Sequence, residues 1–289
     1  MGKLRSIEDD VADSAGRDDD GGKANRLGSQ TLFRGLDVLD VVAEGPIGLS
    51  ELAERLELTR STTHRLAAAL VDRRYLTFVP REGYSLGPKL LELGFKARDD
   101  MDIPRVARPH IERLAALAED TTHLGVLEGR RVFYLDKITG QRRVVISSRV
   151  GELQPVSSTG LGKALILDRT EEDWTEFYQA ERAFHRPDAT LERWVGRMRR
   201  YAELGYAFDL EENEDQIRCV AAPIRDVEGR VVAAISVSSA AQYMSDERMD
   251  ALALDVLATA RAVSADLGWS GRTPADAGPA PRRAVRKGR

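Results

Sequence analysis

The chain has 289 residues, enough for two ordinary domains, and its 43 basic and 47 acidic side chains leave a net charge of −4, too balanced to advertise a polyanionic partner or to exclude one. With 42% hydrophobic and 31% charged residues it can bury real cores, which excludes disorder throughout. The single cysteine, Cys219, excludes an internal disulfide framework and any multi-cysteine zinc module. The first twenty residues are acidic without an apolar signal region, and no run approaches about twenty apolar residues, so a cytoplasmic protein with no membrane partner is expected.

Residues 1–27 carry Glu8, Asp9, Asp10, Asp13, Asp18, Asp19 and Asp20 with almost no large apolar side chain, and read as a disordered acidic tail. The spacing of Leu32, Leu36, Leu39 and Val42 predicts an amphipathic helix over 29–44, stopped by Gly45-Pro46. Ser50 is placed to cap a second helix whose buried side is Leu52, Leu56 and the following Leu58. Thr59 is placed to cap a third helix, from Arg60 to about Arg73. Two short strands, 75–79 and 84–86, flank Pro80-Arg81-Glu82-Gly83, a hairpin-type turn. Three helices followed by a hairpin is the order of a winged helix-turn-helix, here over 28–87.

A short helix from Pro88 to about Ala97 leads into Arg98-Asp99-Asp100, and 88–104 reads as a linker. Helix is expected over 103–118, with a bend at Pro109, and over 160–167, 171–179, 191–204 and 245–267. Strands are expected over 123–127, 131–138 and 144–149, and in a final hairpin, 217–225 and 230–238, turning through Asp226-Val227-Glu228-Gly229. The fold class is therefore α+β, with a second domain over 105–268 built around an antiparallel sheet. Residues 269–289, with Arg282, Arg283, Arg286, Lys287 and Arg289, read as a basic tail suited to non-specific DNA contact.

On a helical wheel with Leu66 as the buried direction, Leu70, Ala69, Thr63 and Thr62 fall beside it, while Ser61, His64, Arg65 and Ala68 lie outside. Short hydroxyls and an alanine permit close approach to a major groove, and Arg60 and Arg65 can reach phosphate or guanine. Between Thr59 and Arg81 the charges are Arg60, Arg65, Arg73, Arg74 and Arg81 against Asp72 alone, so the global balance conceals a local basic strip. The DNA-reading set is Thr59, Arg60, Ser61, Thr62, His64 and Arg65, with Arg81 as a wing contact. A solvated amphipathic helix would carry the same charge run, and the order of the surrounding elements is what favours the DNA reading.

The blocks "LSELAERLELTRSTTHRL", "YLTFVPREGYSLGPKLLELG", "PVSSTGLGKALI" and "GYAFDLEENEDQIRCVAAPIRDVEGRVVAAISVSS" resemble the IclR family of bacterial transcription regulators, over about residues 29–267. The resemblance implies a winged helix-turn-helix, a linker helix and a GAF-like effector-binding domain. It also implies homodimers or homotetramers on palindromic double-stranded operators, usually repressing neighbouring catabolic genes. Effector-binding positions of the family match Gly160, Leu161, Asp209, Cys219, Ser236 and Ser238. Two departures are a larger residue, Leu161, where a small one is common, and Asp215-Gln216 where glycine is frequent.

Read from the residues, Cys219, Ala221 and Pro223 share one face of their strand and Ala234, Ser236 and Ser238 one face of theirs, small polar side chains that can line a cavity. Ser158 and Thr159 precede Gly160-Leu161-Gly162-Lys163, whose amides at a helix start favour a carboxylate. Asp209 would repel such a ligand unless one carboxyl is protonated or the aspartate accepts a hydroxyl, which points to a hydroxy, keto or aromatic acid. Lys163 reads more readily as a surface lysine than as a ligand contact. Gly83-Tyr84-Ser85-Leu86-Gly87 spells a nucleophile elbow but lies in the wing, and residues 157–164 mimic a P-loop but lack its first glycine and its magnesium-binding hydroxyl. His64, His110, His123 and His185 are dispersed, so no metal and no cofactor are expected. The expected function is a non-enzymatic DNA-binding regulator, a repressor responsive to a small organic acid. The alternatives are an activator of the same family, a hydrolase using Ser85 or Cys219, and a ligand-sensing scaffold that does not bind DNA.

Overall fold

The computed structural model describes residues 19–99, 102–142, 146–185 and 189–271. The chain divides into two compact units, Met1–Asp100 and Met101–Arg289.

The first unit contains α1 (Asp19–Ala43), α2 (Leu49–Arg55), α3 (Arg60–Asp72), the hairpin β1 (Leu76–Val79) and β2 (Gly83–Leu86), and α4 (Pro88–Asp99). Val38 and Val42 of α1, Leu52 of α2, Leu66 and Ala67 of α3, and Leu76 and Tyr84 of the hairpin form one buried core. Ile47 joins the hairpin as an extra bridge, donating to the Tyr84 carbonyl at 3.0 Å and accepting from the Tyr84 amide at 2.8 Å. That approach requires Gly83, where a Cβ would stand 2.2 Å from the Ile47 carbonyl oxygen.

Three local expectations are corrected. The first helix begins at Asp19, ten residues before the expected start, and so takes in the last part of the expected acidic tail. Residues 1–18, the rest of the expected acidic tail, lie outside the described residues, as do 272–289 of the basic one. The second helix is capped by Gly48 in extended geometry without a side-chain bond, so Ser50 sits inside its first turn. The hairpin begins one residue late because Arg74 takes a left-handed φ of 64° and the Tyr75 amide bonds back to the Leu70 carbonyl at 2.9 Å.

The second unit is a six-stranded antiparallel sheet in the order β5-β4-β3-β8-β7-β6, with helices on both faces. Its elements are α5 (Ile103–Ala118), β3 (Thr121–Glu128), β4 (Arg131–Ile138), β5 (Leu153–Gln154), α6 (Gly160–Leu165), α7 (Glu171–Ala180), α8 (Leu191–Leu204), β6 (Ala207–Leu210), β7 (Ile217–Arg225), β8 (Val231–Ala240) and α9 (Asp246–Asp266). The strand alternation separates two cores. Val220, Ala222 and Ile224 with Ala233, Ile235 and Val237 pack on α5 and α9, whereas Cys219, Ala221 and Ala234 face α6, α7 and α8. Helix α5 runs unbroken through Pro109.

The strand expected over 144–149 is not found in its described part, 146–149. There the carbonyls of Ile146 and Ser148 accept from the Lys137 ammonium at 2.8 and 2.6 Å, and so are satisfied by a side chain instead of a ladder. The outer strand beside β4 is instead β5, a few residues later. Strand β6 was not foreseen; it follows the left-handed Gly205 that ends α8 and pairs Asp209 with Cys219.

Candidate DNA interface and effector cavity

Helix α3 starts on Thr59, whose hydroxyl accepts from the Thr62 amide at 3.3 Å and donates to the Thr62 hydroxyl at 2.9 Å, while the Thr63 hydroxyl donates to the Thr59 carbonyl at 3.1 Å. Two of the threonines in the reading set thus organise the helix start. Ser61, His64, Arg65 and Arg60 are exposed, and Thr62 is half-buried. The buried side is centred on Thr63, Leu66 and Ala67, so Ala69, which the wheel placed inward, is exposed: the helix is rotated toward Ala67, which is fully buried. Arg81 stands exposed at the hairpin turn with a left-handed φ of 74°. Among the described residues none of Arg60, Arg65 and Arg81 is held in an ion pair, whereas Arg55 on α2 is tied to Glu44 and Glu51. The unpaired guanidinium groups therefore keep their full charge for phosphate or base edges.

In the second unit the register stacks side chains in rows across the α6 face of the sheet. One row is Asp209, Cys219, Ser238 and Thr121; the next is Ala207, Ala221, Ser236 and His123; a third runs through Pro223, Ala234, Gly125 and Tyr134. Small residues in the middle and larger ones at the edges leave a hollow, and the start of α6 closes it. A cavity of about 410 Å³ results, within the range of small-molecule sites. Of the expected positions, Gly160, Leu161, Asp209, Cys219 and Ser238 line it. Ser236 is buried beside Cys219, within hydrogen-bonding reach of its sulfur, and does not line the space.

The glycine at 160 is required, because a Cβ there would meet the Cys219 sulfur at 2.9 Å. Thr159 caps α6, accepting from the Gly162 amide at 3.0 Å and donating to the Pro155 carbonyl at 2.6 Å. Lys163 corrects the expectation of a surface lysine: it is 1% exposed, donates to the Phe208 carbonyl at 2.9 Å and pairs with Glu212. Sequence periodicity missed this because the six-residue α6 is buried on every side.

Burial pushes the Asp209 carboxyl up to about 7, against the pull of the Lys163 ammonium. Near neutral pH this group is a hydrogen-bond donor about as often as an anion, which lifts the conflict with a carboxylate ligand. Burial also raises the Cys219 thiol to about 11, helped by the nearby Asp209 charge and partly offset by the Ser238 and Ser236 hydroxyls. It offers a weak donor instead of a nucleophile. Ser85 lies in a paired strand opposite Thr77, not on the sharp turn a nucleophile elbow needs. Among the described residues no three His, Cys, Asp or Glu side chains converge as metal ligands, and no helix is long and apolar enough to cross a membrane.

In the sequence His123 stands out only as a possible metal ligand, and neither Tyr134 nor Arg131 is distinguished. All three line the cavity. Burial, with Lys137 nearby, lowers the His123 pKa to about 3, so the ring is neutral; its Nε2 meets the Ser148 hydroxyl at 2.8 Å, and its ring lies 5.1 Å from that of Tyr134. The signal was present in the alternation of β3, where His123 shares the face of Thr121 and Gly125.

Residues 31–80 match the IclR helix-turn-helix domain, and residues 95–265 match the model described as bacterial transcriptional regulator IclR C-terminal. The chain is 33% identical over 226 residues to the HTH-type transcriptional regulator XynR of Escherichia coli, covering 76% of this chain and 90% of the relative. It is 32% identical over 233 residues to the HTH-type transcriptional regulator KdgR of the same organism, covering 78% and 88%. Among solved structures, the Agobacterium tumefaciens repressor BlcR superposes with a TM-score of 0.74 at 25% identity, over 83% of this chain and 97% of that one. The chain belongs to the IclR family of bacterial transcriptional regulators.

Proposed function

We propose that this regulator represses transcription by inserting α3 into the major groove of a palindromic operator, with Arg81 on the adjacent backbone, and that a small hydroxy, keto or aromatic acid in the 410 Å³ cavity alters its hold on DNA. The observation that carries the sensing half is the cavity itself, where a buried carboxyl poised near 7, the Cys219 thiol and the Ser238 hydroxyl face an arginine and a neutral histidine. These neutral donors and the arginine suit a small monoanion with a second oxygen function, with Glu214, the other carboxyl-bearing residue of the wall, bonded there by the Ser147 hydroxyl at 3.1 Å. The repressor named among the structural relatives supports the direction of control. A palindrome calls for a homodimer or homotetramer, with two recognition helices about one DNA turn, roughly 34 Å, apart. The effector acts by binding two arrangements of the protein unequally.

The test is retardation of the protein's own promoter fragment with and without a panel of two- to eight-carbon acids. Operator binding relieved by at least one acid in the wild type, and unrelieved in Ser238→Val, is the expected result. A Ser238→Val protein that responds normally moves the site elsewhere, and failure to retard the fragment removes the repressor reading.

A further inference from the structure

A second cavity in the same unit, of about 530 Å³, is walled by His185, Thr190, Arg193, Gly196, Arg197 and Glu212. Neither the DNA-reading set nor the effector set includes any of these residues. The two cavities share the end of β6 and the chain that leads from it to β7 as a wall: Asp209, Asn213 and Glu214 line the first, Leu210 and Glu212 the second.

Charge is unbalanced at the second cavity. One Glu212 oxygen accepts from Arg197 at 2.5 Å and the other from the buried Lys163, so one carboxylate serves two cations. Burial alone would raise the Glu212 pKa, yet Lys163 and Arg197 together hold it below the usual carboxylate range, so it is a full anion and nothing is left over to neutralise the second base. Arg193, one turn before Arg197 on α8, has no ion-pair partner among the described residues. His185 adds no compensating negative charge; burial lowers its pKa, and its Nε2 is engaged by the Ser157 hydroxyl at 2.8 Å. Among the described residues that wall the cavity, Arg193 and Arg197 thus stand beside Glu212 as the one carboxylate, and Lys163 claims that carboxylate from the other side.

Gly196 supplies an independent observation. Glycine is the least favourable helix-interior residue after proline. It lies inside the 14-residue α8, yet a Cβ built on it meets nothing within 4 Å, so packing does not demand it. What the missing side chain does is keep the floor beside Arg193 and Arg197 open.

We propose that this cleft is a second ligand site, selective for a compact dianion, a phosphate monoester or a dicarboxylate of a few carbons, held between the guanidinium groups of Arg193 and Arg197. Guanidinium forks match both oxygen geometries, and the volume fits a small metabolite. The site is wired to the effector cavity. The Glu212 amide donates to Asp209 Oδ1 at 2.8 Å, and Lys163 belongs to the same α6 that presents Gly160 and Leu161. A dianion that draws Arg197 away leaves Glu212 to Lys163 alone and so changes the field at Asp209, and the coupling is reciprocal.

Isothermal titration of the full chain with inorganic phosphate, glycerol 3-phosphate and succinate at matched ionic strength tests this. Saturable binding of at least one probe is expected, and the probe that binds assigns the phosphate or the dicarboxylate class. Affinity should fall at least tenfold in Arg193→Gln, whose side chain is exposed, and in Gly196→Leu, which improves helix propensity while filling the floor. Ser238→Val should leave dianion binding intact, which separates failure of this site from failure of the effector cavity. No saturable heat with any probe, or unchanged affinity in both variants, overturns the proposal.

Discussion

Replacing Asp209 with asparagine fixes in place a hydrogen-bond donor that the wild-type carboxyl presents only below its pKa. With that pKa near 7, about nine in ten molecules carry the proton at pH 6 and about one in ten at pH 8. An acid ligand that needs the neutral form should therefore bind the wild type about tenfold more weakly at pH 8 than at pH 6. Asparagine keeps an oxygen for the Glu212 amide, bonded at 2.8 Å, and adds a permanent N–H donor. Its affinity should be flat with pH, near the wild-type value at pH 6 and about tenfold above it at pH 8. The same shift acts on folding. The carboxyl is raised from 3.8 to about 7, so its stabilising contribution is complete below pH 4 and is lost as pH climbs to 7, a loss on the order of 4 kcal/mol that the asparagine variant escapes. The assay is titration of the acid with the largest thermal shift at pH 6, 7 and 8, with proton uptake read from buffers of different ionisation enthalpy. Wild-type affinity that does not change with pH, with Asp209→Asn no tighter at pH 8, would refute the reasoning.

Arg65→Ala should weaken operator binding by about 1–3 kcal/mol if the side chain reads a base, or reduce the salt slope by about one if it holds a phosphate. Fluorescence anisotropy across a salt series separates these, and unchanged affinity and slope remove α3 as the reader. Gly125→Ala should destabilise the fold by about 1–3 kcal/mol, because its Cβ would stand 2.7 Å from a Leu161 methyl carbon that is packed in place. Adding Leu161→Ala should recover part of that loss in a denaturant titration; a strictly additive double variant would show that the two side chains do not compete for the space.

The elements that sequence periodicity placed well are those whose pattern is local. Helix α3 from its Thr59 cap, α8 from its Thr190 cap and the β7–β8 hairpin about its Asp226 turn each carry their own start and stop signals. Strand β6 lacks such a signal, since it is four residues long and gains its pairing only from β7, across the connection 211–216 instead of a tight hairpin turn. The expected strand over 144–149 failed for the opposite reason: Val144, Val145 and Ile146 read as a strand in sequence, but in the described part Lys137 from β4 takes the carbonyls of Ile146 and Ser148. Cavity residues divide the same way. Gly160, Cys219 and Ser238 were legible through the family blocks, while His123 and Tyr134 reach the cavity because β3 lies beside β8 and β4 beside β3, a neighbourhood fixed by topology.

The two walls of the effector cavity differ in how they are held, and that difference directs what a ligand can move. On the α6 side, a Cβ at Gly162 would meet the Val156 carbonyl oxygen at 2.3 Å, as one at Gly160 would meet Cys219, so backbone is seated on its neighbours without slack. On the other side, residues 146–148 and 213–214 have no strand ladder. They are fastened by side chains: Ser147 to Glu214 at 3.1 Å, Ser158 to Asn213 at 3.1 Å, His123 to Ser148 at 2.8 Å and Lys137 to two carbonyls. Single hydrogen bonds of this kind contribute about 1 kcal/mol each and can be exchanged for bonds to a ligand, whereas tightly packed backbone shifts only as a block. If the proposed acid occupies this cavity, differential binding energy should therefore act first on the polar wall, and α6 should respond through Lys163 and Glu212, the buried pair that joins it to the β6–β7 connection.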